Sequence, residues 1–136
     1  FKNVVHEMGD LVLKPDYWVG VESRGFIFAS ALAVEFGGGV VLCRKPGKLP
    51  GKIVTKSYDT EYSSDQLSLQ IGTGSVVIVD DVLATGGTLA TVNKLCSSAG
   101  YNIQDHLVLI DLKYVPRSNY YLETKIKTVK SLFSYE

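Results

Sequence analysis

The sequence has 136 residues, which is enough for one domain with a buried core. Fourteen basic residues balance fourteen acidic ones, so no overall charge field attracts nucleic acid or an anionic membrane. The sequence contains no run of about 18 apolar residues and does not open on a signal-peptide pattern, and Cys43 and Cys96 match no metal or redox spacing. We therefore expect a cytoplasmic protein with reduced cysteines and with neither nucleic acid nor membrane as a partner.

The hydrophobic pattern alternates between helices and strands along the chain. In order, it predicts a helix over residues 1–13, a strand over 17–21, a helix over 25–36, a strand over 40–43, a β-hairpin of 53–58 and 66–71, a strand over 76–79, a helix over 88–99, and strands over 103–112 and 128–133. Such alternation predicts an α/β fold over residues 1–136, with a mainly parallel central sheet flanked by helices. In such sheets, ligands bind beyond the carboxyl ends of the strands.

The most specific motif is VVIVDDVLATGGT at residues 76–88. Its four β-branched residues form a central strand that carries Asp80 and Asp81 to the carboxyl edge of the sheet. The loop that follows reads Ala84, Thr85, Gly86, Gly87 and Thr88. Its glycines let the backbone approach a phosphate, and the free N–H groups of the next helix point at it.

Carboxylates beside an anion site suit a sugar phosphate, because they can accept hydrogen bonds from ribose hydroxyls. Two alternatives stay open at this point. The glycines could serve only a strand–turn–helix junction, or an aspartate could be phosphorylated as in receiver and phosphatase domains.

Two further segments suit a diphosphate. Glu22, Ser23, Arg24 and Gly25 follow the first strand, where exposed N–H groups and a guanidinium favour a bound anion. A helix N-cap with a solvated arginine is the alternative. Five cations with no acid between them come later, at Arg44, Lys45, Lys48, Lys52 and Lys56. Glycines and prolines interrupt them as in a shaped loop, and no stacking aromatics favour nucleic acid.

Together, these segments resemble the adenine phosphoribosyltransferase family, which has the type I phosphoribosyltransferase fold. Residues 76–88 resemble the loop that holds 5-phosphoribosyl-1-pyrophosphate (PRPP), and ESRGF at 22–26 resembles the family's pyrophosphate loop. RKPGKLPG at 44–51 is similar to its basic segment, and the Ser-Tyr and Glu-Tyr pairs within 57–62 to its mobile catalytic loop. Residues 131–136 resemble its C-terminal ending.

The resemblance implies transfer of the 5-phosphoribosyl group from PRPP to adenine, giving AMP and pyrophosphate in purine salvage. It also implies Mg²⁺ held mainly by the PRPP diphosphate, a cis non-proline peptide within residues 22–25, and a homodimer in which Arg44 approaches the neighbouring subunit's pyrophosphate. The substrate-binding residues it implies are Glu22, Ser23, Arg24, Gly25, Arg44, Lys45, Lys48, Asp80, Asp81, Val82, Ala84, Thr85, Gly86, Gly87 and Thr88. The implied catalytic residues are Glu61, Tyr62, Asp80 and Asp81.

Water would compete for C1 of the ribose, so this chemistry requires a lid. Residues 49–66, polar and glycine-bearing, are the candidate for a flexible lid. Tyr62 would cover the site with Glu61 near the base or the ribose, and an ordinary hairpin aromatic is the equal alternative for Tyr62.

The residue at Ala84 favours adenine, because relatives acting on 6-oxopurines carry an aspartate there. The sequence departs from the family pattern at Val82, where leucine is commoner, and at Ser63, which replaces a glycine. We also expect the family's N-terminal hood, which covers the base, to be missing, since it would precede Phe1. A non-catalytic PRPP or nucleotide sensor, or a transferase for another purine base, remains the alternative function.

Overall fold

The computed structural model describes residues 1–47, 49, 51–59 and 64–136. In chain order, its elements are α1 (Lys2–Gly9), β1 (Tyr17–Val21), α2 (Arg24–Phe36), β2 (Gly39–Cys43), β3 (Ile53–Asp59), β4 (Ser64–Gln70), β5 (Gly74–Leu83), α3 (Gly87–Ala99), β6 (Tyr101–Leu112), α4 (Asn119–Thr124) and β7 (Lys130–Tyr135). None of the helices within these ranges is long and apolar enough to cross a membrane.

Five strands form one parallel sheet in the order β2-β1-β5-β6-β7. Strands β3 and β4 form a separate antiparallel hairpin, which an isolated bridge between Arg44 and Ser68 joins to the end of β2. The predicted α/β class, with a parallel sheet and a small hairpin, is therefore confirmed. Because β1 and β5 are neighbours, the loops that follow them meet at one edge of the sheet.

Strand β5 lies at the centre of the sheet and is buried on both faces. Val76 and Ile78 pack with α3 in one core cluster, and Val77 and Val79 pack with α1 and α2 in the other. Successive strand residues point to opposite faces, so a continuous β-branched run fills both cores. Burial of each such side chain contributes about 1.5–3 kcal/mol, which makes β5 a rigid base for the residues at its end.

Strand β5 is longer than the four residues predicted, because β6 runs alongside it up to the pairing of Leu83 with Asp111. Asp80 and Asp81 consequently lie within the strand rather than just beyond it. The short helix α4 was not predicted. Ser118 begins it, and its side-chain oxygen accepts a hydrogen bond from the amide of Tyr121.

Candidate functional site

A cleft of about 650 Å³ opens at the carboxyl ends of β1 and β5. Two loops line it, the one that joins β1 to α2 and the one that joins β5 to α3. The residues around it include Val21, Glu22, Ser23, Arg24, Asp80, Asp81, Val82, Leu83, Ala84, Thr85, Gly86, Gly87 and Thr88. Two segments that are separated in the sequence by more than fifty residues thus face one cavity, as the topology of the sheet predicts.

The loop between β5 and α3, residues 84–88, is called the phosphate loop here. Its Gly86 adopts φ +87°, a left-handed conformation that favours glycine, and forms the N-cap of α3. A Cβ at this position would lie 2.4 Å from Cδ2 of Tyr121. The Gly87 amide lies 3.4 Å from Oγ1 of Thr85. The N-terminus of α3, with its free N–H groups and positive dipole end, therefore opens onto the cleft, where such groups can bind an anion.

The acidic pair lies beside this loop. The Asp81 amide donates to Oδ1 of Asp80 at 2.8 Å, and the Val82 amide donates to Oδ1 of Asp81 at 2.9 Å. Burial raises the pKa of Asp80 to about 7, and the Asp81 side chain adds to the shift. Asp80 can thus carry a proton near neutral pH, and an approaching cation or hydroxyl donor would favour its charged form.

The loop between β1 and α2, residues 22–25, is called the pyrophosphate loop here. Its Glu22–Ser23 peptide bond is cis, so the cis peptide implied by the resemblance is present. Gly25 is buried against β5, and a Cβ there would lie 2.8 Å from the carbonyl oxygen of Val79. Only glycine therefore lets the start of α2 lie this close to the strand that carries the acidic pair.

Arg24 connects the two loops. Its Nε lies 2.8 Å from Oδ2 of Asp81, and 76% of the Arg24 side chain is exposed. The Asp81 side chain is 15% exposed, so solvent screens this ion pair mainly at its Arg24 end. The exposed guanidinium can turn from Asp81 toward a diphosphate in the cleft.

In the described part of the chain, Arg44 and Lys45 of the basic segment contact Glu22 of the pyrophosphate loop but do not line the cleft. Oε1 of Glu22 lies 3.4 Å from Nε of Arg44 and accepts the Lys45 amide at 3.0 Å. The Arg44 guanidinium also lies over the Phe26 ring, 5.8 Å from its centroid. Lys48, Glu61 and Tyr62 lie outside the described residues, so their implied roles remain predictions.

Sequence reasoning missed the support of the phosphate loop. Nη1 of Arg117 donates to the carbonyl of Ala84 at 2.6 Å, and the Ser118 amide donates to the carbonyl of Thr85 at 2.8 Å. Tyr121 packs against Gly86. The only signal was a lone arginine between a proline and a serine N-cap, which has no periodicity to distinguish it from a solvated loop residue.

The described residues contain no group of three or more His, Cys, Asp or Glu side chains placed to hold a metal. Mg²⁺, however, usually binds through one or two carboxylates together with substrate phosphates. Asp80 and Asp81, at the edge of the cleft, fit an ion that arrives with a diphosphate.

The histidines and cysteines stand apart from this chemistry. Nε2 of His106 lies 2.8 Å from Oδ1 of Asn93, and burial lowers the pKa of His106 to about 4, so it packs as a neutral side chain. His6 lies at the surface beside Asp10 and Glu35. Both cysteines are free and buried, and burial raises the pKa of the Cys96 thiol to about 12.

Comparison with known proteins agrees with this geometry. An adenine phosphoribosyltransferase of Hydrogenovibrio crunogenus is 52% identical over 99 residues, which are 72% of this chain and 58% of that protein. The chain thus spans less than two thirds of the length of this relative. The crystal structure of adenine phosphoribosyltransferase from Thermoanaerobacter pseudethanolicus superposes with a TM-score of 0.83 at 34% identity, covering 98% of this chain and 80% of the other.

A second structure, the Giardia lamblia enzyme complexed with 9-deazaadenine, superposes with a TM-score of 0.83 at 30% identity. The match covers 98% of this chain and 78% of the Giardia chain. The sequence profile described as the phosphoribosyl transferase domain matches residues 5–131. On the strength of that match and of the shared fold, this chain belongs to the phosphoribosyl transferase domain family.

Proposed function

We propose that this chain transfers the 5-phosphoribosyl group from PRPP to adenine, giving AMP and pyrophosphate. One observation carries the proposal, namely that the pyrophosphate loop and the phosphate loop line a single cleft with the acidic pair between them. A substrate with a phosphate at one end of a ribose and a diphosphate at the other matches this order of groups.

Each part of the cleft has a separate task in the reaction. The phosphate loop and the N-terminus of α3 hold the 5-phosphate, and Asp80 and Asp81 accept hydrogen bonds from the ribose hydroxyls. Displacement at C1 passes through an oxocarbenium-like state, whose positive charge the two carboxylates stabilise. Arg24 turns from Asp81 to the departing diphosphate.

We include Mg²⁺ in the proposal, held by the substrate diphosphate with Asp80 and Asp81 as the protein groups nearest to it. When bound, it would neutralise charge on the leaving group. Occupancy by a cation also opposes protonation of Asp80, whose pKa lies near neutrality without ligand. Binding of the magnesium complex of PRPP should therefore release protons.

Residues 49–66 are proposed as the lid, with Glu61 and Tyr62 over the cleft. Leu67 and Leu69 of β4 are buried in the core, and Ser68 is bridged to Arg44. This end of the hairpin is therefore anchored and would serve as the fixed base of the lid.

The base is proposed to be adenine, because Ala84 leaves an apolar position where an aspartate would serve a 6-oxopurine. We also propose a homodimer, in which Arg44 would reach the diphosphate of the neighbouring subunit. Ile27 and Val34 on α2, with exposures of 57% and 88%, supply apolar surface for such an association. Light scattering at several concentrations would measure the mass.

The test is one assay with three arms, in which the chain is incubated with PRPP, Mg²⁺ and either adenine, hypoxanthine or no base. AMP and pyrophosphate formed only with adenine would support the proposal. IMP formed from hypoxanthine would instead assign another base. Tight PRPP binding without turnover in any arm would favour a sensor, and pyrophosphate released without a base would indicate an uncovered site.

A further inference from the structure

We propose that Arg117 is a positioning residue that orients the peptide groups of the phosphate loop, with Ser118 and Tyr121 completing the support. The inference rests on the proposed function, in which this loop holds the 5-phosphate. Arg117 does not line the cleft and has no direct contact with the substrate in the proposed reaction. It acts on the far side of the loop, through backbone carbonyls.

Arg117 is built into the fold rather than lying on its surface. Its side chain is 20% exposed, and its Nη2 pairs with Oδ1 of Asp111, which is 10% exposed. Its Nη1 donates to the carbonyls of Ala84 and Leu112 at 2.6 and 3.1 Å, with Val115 O at 3.4 Å. One guanidinium therefore joins the end of β6, the segment after it and the first residue of the phosphate loop.

Two consecutive peptide groups of the loop are held in this way. The carbonyl of Ala84 accepts from Arg117, and the carbonyl of Thr85 accepts from the Ser118 amide at 2.8 Å. In a planar trans peptide, the C=O and the N–H of the next residue point in opposite directions. Holding the two carbonyls toward residues 117 and 118 thus directs the amides of Thr85 and Gly86 toward the cleft, where a phosphate needs donors.

Tyr121 removes the remaining freedom of the loop. Its ring packs so closely on Gly86 that a Cβ there would lie 2.4 Å from Cδ2. The loop consequently lies against α4, with its amides oriented before a phosphate binds. Such preorganisation lowers the cost of binding, because the ligand need not order the backbone.

Two variants test the role of Arg117. Arg117→Lys keeps the charge beside Asp111 but cannot reach several carbonyls with one planar group. The double variant Arg117→Met with Asp111→Asn removes both charges, so that no buried carboxylate is left unpaired. Lys113→Ala is the matched control, because it removes a nearby cation whose side chain is paired with Glu136 and has no bond to the loop.

The measurement compares ribose 5-phosphate with pyrophosphate by calorimetry, and KM for PRPP with kcat. Both variants should bind ribose 5-phosphate about tenfold more weakly or worse, while pyrophosphate affinity stays within about twofold of the parent. KM for PRPP should rise with kcat little changed, and Lys113→Ala should match the parent.

Several results would overturn the inference. Parent-like ribose 5-phosphate affinity in Arg117→Lys would mean that the charge alone suffices. Equal losses for both ligands, with a lowered melting temperature, would reduce Arg117 to a general stabiliser. A parent chain that binds neither ligand would overturn the proposed function itself, and the inference with it.

Discussion

Replacing Arg24 with alanine should separate the two halves of the cleft. Arg24 contacts Asp81 at 2.8 Å; the Arg24 side chain is 76% exposed and the Asp81 side chain 15%, so screening at the arginine end keeps the contribution of the pair to folding to about 1 kcal/mol. A charge-assisted hydrogen bond to a diphosphate is worth about 1.5–3 kcal/mol. We therefore expect PRPP affinity to fall by about tenfold to a hundredfold, while the melting temperature changes by only a few degrees.

AMP lacks the diphosphate, so its affinity should change by less than about threefold in Arg24→Ala. Arg24 also lowers the pKa of Asp80, so the titrations are run in alkaline buffer, where Asp80 is ionised with or without the arginine. Lys130→Ala is the control. It removes an exposed cation from the amino-terminal end of β7, whereas the cleft lies at the carboxyl ends of the parallel strands.

Isothermal titration calorimetry with PRPP and Mg²⁺, and then with AMP, measures both affinities on one preparation. Equal losses for the two ligands would contradict the division between the loops. An unchanged PRPP affinity would mean that Arg24 stays on Asp81 when the substrate binds.

Three further changes address the acidic pair, the phosphate loop and the lid. Burial raises the pKa of Asp80 from 3.8 to about 7 on folding, so its ionisation destabilises the fold by an amount that is absent below about pH 4 and grows until about pH 7. Above pH 7, Asp80→Asn should therefore raise the free energy of unfolding by about 4 kcal/mol, at 1.4 kcal/mol per pKa unit, as measured by denaturant titration. An equal difference at pH 4 would refute the cause. Gly86→Ala places a Cβ at φ +87° and 2.4 Å from Tyr121, so AMP affinity should fall and the free energy of unfolding should drop by about 2–4 kcal/mol in chemical denaturation. Gly47→Ala is the control for backbone strain alone, because a Cβ at Gly47 meets nothing within 4 Å. Amides of residues 49–66 should exchange hydrogen quickly in the free protein and slowly with PRPP and Mg²⁺, and slow exchange in both states would remove the lid.

The sequence by itself determined the features of this protein that depend on residues close together in the chain. The β-branched run of residues 76–79 predicts a central strand, and the glycines after Asp81 predict a turn into a helix that can bind phosphate. The α/β class follows from a hydrophobic pattern that alternates between the helical and the strand period along the chain. These features depend on local backbone preferences and on which faces are apolar, and both can be read from spacing alone.

The tertiary structure decided how separated segments act on one another. It pairs Arg24 with Asp81, holds Arg44 and Lys45 on Glu22, and buries Asp80 far enough to raise its pKa. These contacts join residues that no helical or strand period relates, and a pKa depends on the three-dimensional burial of the group.

The support of the phosphate loop is the clearest case of this limit. Arg117 reaches Ala84 across 33 positions of the chain because β5 and β6 are neighbours, so their ends lie side by side. A single arginine in a loop has no pattern that distinguishes a buried donor from a solvated one. Arg117 contacts the phosphate loop because the parallel pairing of β5 and β6 places the end of β6 beside that loop.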